Sequence, residues 1–282
     1  MENVTAIIKA FERPDNVRRL IQSIRQFYPT MPLIIVDDSR TSMTDTWDVH
    51  TTYLRLPYDS GLSAGRNRAV QVATTPYILL LDDDFVFTKD TRVERLTHVL
   101  DTTDYDIVAG EILDFGRRRL AFRGRLEIKD GNLHLYHHSR AGHHIGYPMY
   151  DFVLNFFVAR RASLLKSPWH TQLKIREHEA FFWQAKQNSF KITAIPSVRC
   201  DHFPTTATRT DDMEYITKRH IRFNNFHILA CSIIGVETFC NHGTPYAGIA
   251  RLKDSLYALL KTYCPSALNS LKKVKGFFHG RK

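Results

Sequence analysis

Cysteine is scarce in this 282-residue chain: Cys200, Cys231, Cys240 and Cys264 lie far apart with no C-x-x-C pair. That excludes a zinc ribbon or a dense disulfide framework, and the four are expected to be reduced and structural. No run of about 18 apolar residues occurs, so a membrane-spanning helix is not expected. Residues 1–20 carry charge from Glu2 onwards and lack the apolar core of a signal peptide, so the chain is expected in the cytosol. No internal repeat or low-complexity segment is visible, which excludes a repeat array. What remains is ordinary globular composition, 43% hydrophobic and 24% charged, with length for one large domain and an appendage.

The formal charge of +10 is unevenly spread. Residues 251–282 hold eight Lys or Arg against one acid, Asp254, and so contain most of the excess. Leu252, Leu256, Leu259 and Leu260, then Leu271, Val274, Phe277 and Phe278, recur beside those cations. Apolar side chains facing basic ones fit a helix lying in the plane of an anionic membrane, and the expected partner of this segment is such a surface. A helix docked on the protein's own core is the alternative.

Hydrophobic periodicity gives the organisation. Residues 4–10 read as a buried strand, and Val17, Leu20, Ile21, Ile24 and Phe27 follow at helical spacing. Leu33–Val36 is a second strand, Tyr53–Leu56 a short one, Ala64–Ala73 a helix and Tyr77–Leu81 a strand. Helices are expected over residues 91–100, 177–187 and 213–237, and strands at Ile107–Gly110, Val153–Val158 and Lys191–Ile195. Residues 111–150 are rich in Arg, Gly and His with weak periodicity, and read as hairpins and loops shaping a second substrate site. Strands alternating with helices predict an α/β fold with a mostly parallel sheet covered on both faces.

Ligands of such sheets sit beyond the carboxyl ends of the strands, where Asp37-Asp38 and Asp82-Asp83-Asp84 both fall, so the two acidic clusters should face one crevice. Three consecutive acids repel one another without a cation, and oxygen ligands suit a hard divalent metal; capping of a turn is the bland alternative. Asp37 and Asp38 can accept hydrogen bonds from a base imide or ribose hydroxyls, or simply close an Asx turn. Gly61–Asn67 is a small-residue turn into a helix, suited to close approach by phosphate or sugar, with Arg66 as a fork-shaped donor. The pairs His137-His138 and His143-His144 are adjacent rather than four apart, which argues against a zinc site.

The order IRQFYPTMPLIIVDDS, AGRNRAV, TTPYILLLDDDFVFT and DFVLNFFVARR resembles the inverting family-2-type glycosyltransferases of the GT-A fold. It is closer still to the β-1,4-N-acetylgalactosaminyltransferases that build gangliosides. The resemblance covers about residues 4–204. It implies that Phe11 stacks near uracil, with Glu12, Asp37, Asp38, Arg66, Asp82 and Asp83 also at the donor nucleotide. It makes Asp82 and Asp84 the outer acids of a D-x-D motif and gives His202 as a further ligand of Mn²⁺ or Mg²⁺. Asp151 and Asn155 match segments that contact sugar hydroxyl or acetamido groups of the acceptor. Relatives keep an acid just before two aromatics; that position is Ala180 here, so the general base is expected to be Glu179, with Glu177 second. Lys218, Arg219, His220 and Arg222, after the polar loop Thr205–Asp212, are placed to fold over a bound diphosphate or simply to form a solvated helix start.

The expected function is metal-dependent, inverting transfer of a hexose or N-acetylhexosamine, foremost GalNAc, from a UDP-sugar to a glycan. The acceptor is expected on a bacterial surface polysaccharide or a lipid-linked glycan, with the enzyme peripheral on the inner membrane face. The expected division is a catalytic domain over 1–204, with a nucleotide half 1–110 and an acceptor half 111–204, followed by an extension over 205–282. A nucleotidyltransferase would want a Gly-rich phosphate loop after the first strand, and Lys9–Pro14 supplies none. A nucleic-acid-binding protein is disfavoured because the positive charge is in the tail while the core carries acids at its strand ends.

Overall fold

A computed structural model describes residues 1–116, 118–120, 122–203, 225–241 and 244–245. Its first part runs β1 (Val4–Ala10), α1 (Pro14–Phe27), β2 (Leu33–Asp37), β3 (Thr51–Arg55), α2 (Leu62–Val72), β4 (Tyr77–Leu81), β5 (Phe85–Val86), α3 (Val93–Thr102) and β6 (Ile107–Asp114). Short strands follow: β7 (Arg118–Leu120), β8 (Gly124–Lys129), β9 (Asn132–His137), β10 (Gly142–His144) and β11 (Tyr147–Met149). Then come β12 (Phe157–Arg160), α4 (Arg161–Lys166), α5 (Glu177–Gln187), β13 (Ile192–His202), a helix α6 over residues 225–234, β14 (Phe239–Asn241) and β15 (Thr244–Pro245).

Among the described residues the main sheet has the order β3-β2-β1-β4-β12-β6-β13-β5, with β7 paired to β6. β1 lies parallel to β2 and β4, and β6 parallel to β13, while β12 runs antiparallel between β4 and β6. Strands from residues 1–110 and from 111–204 therefore share one sheet. Alternate side chains of β1 explain why its run is apolar apart from Thr5 and Lys9: Ala6 and Ile8 pack with Leu20 and Ile24 of α1 and Leu96 of α3, while Ile7 packs on the other face with Val70 of α2 and Phe181 of α5. Pro14 opens α1, where its missing N–H is no loss. Because β2 and β4 flank β1 on opposite sides, the chain reverses its winding there and opens a crevice at the carboxyl ends.

Three expectations need correction. The apolar run Val153–Val158 becomes strand only from Phe157, because Phe156 packs on Gly110, where an added Cβ would lie 2.2 Å from its ring, and Asn155 turns its amide toward Asp82. The strand expected at Lys191–Ile195 continues to His202 across a register break between Ala194 and Arg199 that contains Pro196, which has no N–H for the ladder. Of the helix expected over 213–237, residues 225–234 are helical, Val236 and Glu237 lie outside it, and 213–224 are outside the described residues. The loop Thr205–Asp212 and the basic segment 251–282 also lie outside them.

Candidate active site

The crevice floor is made by β1, β2 and the turn into α2. Asp37 and Asp38 are completely buried, and both accept from donors of the protein itself. Asp37 accepts hydrogen bonds from Ser39 N–H at 2.8 Å, Arg55 Nη1 at 2.7 Å and the Tyr53 hydroxyl. Burial alone would raise its pKa, but those bonds together hold the carboxyl below its usual range. Asp38 pairs with Lys9 and accepts the Gly61 N–H at 2.7 Å. Gly61 has φ 96°, a backbone that favours glycine, and a Cβ on Gly65 would stand 2.6 Å from Lys9 Cγ. The close approaches at this turn are therefore made by the protein's own side chains, Lys174 at Gly61 and Lys9 at Gly65. Above the floor, Phe11 is half-buried with its ring centroid 5.8 Å from that of Tyr58, and Glu12 accepts the Arg40 N–H at 2.7 Å.

The acids after β4 form the opposite wall. Asp82 is the most open, its side chain 33% exposed, and its two oxygens meet Arg66 Nη2 at 3.1 Å and Asn155 Nδ2 at 3.2 Å. Asp83 is buried against Arg13, whose Nη2 stands 2.6 Å from its Oδ1. Burial, with the repulsion of Asp84 and Asp82, pushes the Asp83 carboxyl up to about 7 against the pull of Arg13 and Lys9. Asp84 Oδ2 also takes Arg13, through Nη1 at 3.1 Å, while its Oδ1 faces His202 Nε2 at 3.5 Å.

His202 reaches this place because β13 continues past its register break to pair with β5, setting His202 opposite Phe85. Its Nδ1 lies 3.0 Å from Asp114 Oδ1 at the end of β6, an arrangement that orients the ring with Nε2 toward Asp84. The hydrogen bond to Asp84, with that to Asp114, raises its pKa against the opposing effect of burial. Carboxylate oxygens beside an imidazole are a donor set that suits Mn²⁺ or Mg²⁺. Among the described residues no three His, Cys, Asp or Glu side chains converge as a ready-made metal site, since Asp82 is turned toward Arg66 and Asn155.

The amino end of α5 completes the site. Glu177 and Glu179 are both buried but point to different partners, as their spacing on a helix requires. Glu177 Oε1 accepts from Arg66 Nη1 at 3.1 Å, so a single guanidinium joins it to Asp82. Burial raises its pKa, partly offset by Arg66. Glu179 pairs with Arg176, whose guanidinium lies over the Phe239 ring of β14 at 5.6 Å. Between them His178 Nδ1 lies 3.0 Å from Asn155 Oδ1, and burial pushes its pKa down to about 4, leaving the ring neutral near pH 7.

Asn155 therefore joins the acid cluster. Asp151 does not: its Oδ2 accepts from Leu126 N–H at 2.8 Å and Lys186 Nζ at 2.7 Å. That fixes it at the far end of α5, about 13 Å along the helix from Glu177, where it ties β8 to the helix. Lys9, Arg13, His178 and Asp114 were not singled out by sequence. Arg13 carries the one available signal, standing next to Pro14 just beyond an apolar strand, and His178 lies between the two candidate acids.

Comparison with known proteins agrees with this architecture. The family described as "Glycosyl transferase family 2" matches residues 5–167. Human "Beta-1,4 N-acetylgalactosaminyltransferase 1" is 37% identical over 207 residues, covering 71% of this chain and 38% of the relative. The mouse protein of that name is 37% identical over 187 residues, covering 64% of this chain and 35% of the relative. The chain thus spans well under half the length of these curated relatives. Among solved structures, GalNAc-T7 with UDP, GalNAc and Mn²⁺ superposes with a TM-score of 0.56 at 12% identity, covering 72% of this chain and 44% of that one. TarS of S. aureus, residues 1–349 with UDP, gives 0.54 at 17% identity, covering 81% of this chain and 72% of that one. At those identities the likeness is one of fold, the GT-A fold.

Proposed function

Because this chain belongs to glycosyltransferase family 2, we propose that it moves N-acetylgalactosamine from UDP to a hydroxyl of a glycan acceptor, with inversion at the anomeric carbon. One observation carries the proposal. The acids after β4, His202 at the end of β13 and Glu177 at the start of α5 meet at the carboxyl ends of the switch-point strands, with Arg66 joining two of them. The sugar identity draws on the named activity of the relatives that are 37% identical.

Phe11 and Tyr58 offer the uracil a ring surface at the end of β1, with Glu12 beside it. Asp37 and Asp38 act beneath the nucleotide, fixing Lys9, Arg55 and the Gly61 turn. Asp82, Asp84 and His202 would hold a Mn²⁺ or Mg²⁺ ion that neutralises the charge gathering on the departing diphosphate. Asn155 and Arg66 orient Asp82. Glu177 takes the proton from the acceptor hydroxyl as its oxygen bonds to the anomeric carbon and the bond from that carbon to the diphosphate oxygen breaks on the opposite face. Glu177 precedes Glu179 in this assignment because Glu177 is the acid joined to Asp82, and its raised pKa brings a carboxylate closer to the working pH of a base.

Thermal-shift measurements with UDP, other nucleoside diphosphates and nucleotide sugars, each with Mn²⁺, test the donor. Stabilisation by UDP and by UDP-GalNAc is the expected result, and no shift with any uridine nucleotide would remove the proposal.

The acceptor is proposed to be lipid-linked or part of a surface polysaccharide, on the strength of the basic, apolar-spaced segment 251–282. No helix among the described residues is long and apolar enough to cross a membrane, so any attachment by a described helix would be peripheral. Deleting residues 266–282 is expected to leave donor hydrolysis intact while reducing co-sedimentation with anionic vesicles, and binding of the full chain should weaken as salt rises. Equal sedimentation of the two forms, or unfolding of the shorter one, would assign the segment to the protein's own core.

A further inference from the structure

Arg13 holds a position that the proposed reaction leaves unexplained. It stands between the end of β1 and the first turn of α1, and its guanidinium spans two acids, Asp83 Oδ1 at 2.6 Å and Asp84 Oδ2 at 3.1 Å. The two partners differ in kind. Asp83 is buried, so Arg13 supplies positive charge to a carboxylate that water cannot reach. Asp84 is the proposed metal ligand, and its two oxygens are divided between Arg13 and His202.

A divalent cation drawing on Asp84 Oδ2 competes directly with Arg13, and a guanidinium cannot yield by losing its proton. It can yield only by moving. The side chain is free to do so: it is 44% exposed, whereas the Arg66 side chain on the neighbouring acid is 2% exposed and pinned between Asp82 and Glu177. From the start of α1 its natural second partner is an anion arriving at the end of β1, and a diphosphate matches the fork of a guanidinium with two oxygens at once.

We infer that Arg13 is an exchange residue. In the free protein it occupies the acid cluster as a resident counter-charge, and when donor and cation arrive together it transfers to the donor's diphosphate. Metal and nucleotide binding are then coupled: the cation alone must evict Arg13 into water, whereas with UDP present the displaced guanidinium gains a new partner. Such coupling is reciprocal, each ligand tightening the other by the same factor. This inference rests on the proposed donor and metal site.

The test measures Mn²⁺ binding to the full chain from the loss of the free-ion paramagnetic resonance signal, without and with UDP, for the parent, Arg13→Ala and Arg13→Lys. The parent is expected to bind Mn²⁺ weakly alone and about 10-fold or more tightly with UDP. Arg13→Ala should bind Mn²⁺ alone about 10-fold more tightly than the parent, and should lose most of the enhancement by UDP. Arg13→Lys keeps the charge without the fork and should fall between the two. The melting temperature with Mn²⁺ alone gives a second readout, rising more in Arg13→Ala than in the parent because the cation restores the charge that Asp83 and Asp84 lost. Unchanged or weaker Mn²⁺ binding in Arg13→Ala, with the parent still binding Mn²⁺ and UDP together, overturns the exchange role alone. Absence of Mn²⁺ binding by the parent even with UDP overturns the metal site, and the exchange role with it.

Discussion

Glu177→Gln is expected to leave UDP affinity within about twofold and to lower turnover by about 10²- to 10⁴-fold, the usual worth of a positioned general base. The amide keeps an oxygen that can accept from Arg66, so the link from α5 to Asp82 survives and only the proton acceptor is removed. Glu179→Gln is expected to act differently. Its carboxylate neutralises buried Arg176, held at φ 66° against Phe239, so the variant should lose stability and retain most of its turnover at temperatures where it is folded. Steady-state kinetics beside UDP titration and thermal melts separate the two. A large loss of turnover in Glu179→Gln with little in Glu177→Gln would exchange their roles.

The second large effect is expected at Asp84. Asp84→Ala should abolish Mn²⁺-dependent UDP binding in isothermal titration, because Asp83 is buried behind Arg13 and cannot replace it, and Asp82 with His202 would leave the ion one carboxylate short. His202→Ala should be milder, weakening Mn²⁺ affinity by about 10- to 100-fold. It would also release Asp114, so His202→Asn is the companion variant that retains a polar side chain there. Unchanged UDP affinity in Asp84→Ala would remove the metal assignment from the acids after β4.

The strand-helix alternation through residue 100 was legible because β2 and β4 are apolar on both faces, β1 nearly so, and α1 repeats its apolar residues at helical spacing. Legibility fell where one segment serves two purposes. The run from Phe152 to Ala159 is apolar apart from Asn155, yet its first part delivers Asn155 to Asp82 and only its end enters the ladder. His202 was marked by resemblance, but the register break and the pairing with β5 that carry it to Asp84 leave no trace in hydropathy. The same holds for charge partners. Acids at strand ends stand out in sequence, while the cations that answer them, Lys9, Arg13, Arg55 and Arg66, come from four separate segments and are assigned only by geometry. Asp151 shows the converse: a matched segment and a polar residue, used to anchor a hairpin to a helix.

The antiparallel strand β12 has a consequence for how the protein is made. It sits between β4 and β6, so a nascent chain that has emerged only as far as Asp114 cannot join those two strands edge to edge through their native neighbour. Both leave the edge that faces β12 open until residues 157–160 have left the ribosome, at an elongation rate of about 5–20 residues per second, and the other edge of β6 waits for β13. Those edges are apolar and able to capture a strand from another chain. Expression of fragments ending before Phe157 should accordingly yield aggregates, and chaperone demand during synthesis should fall once Arg160 is exposed. The reversed strand is thus the clasp on which the timing of folding depends.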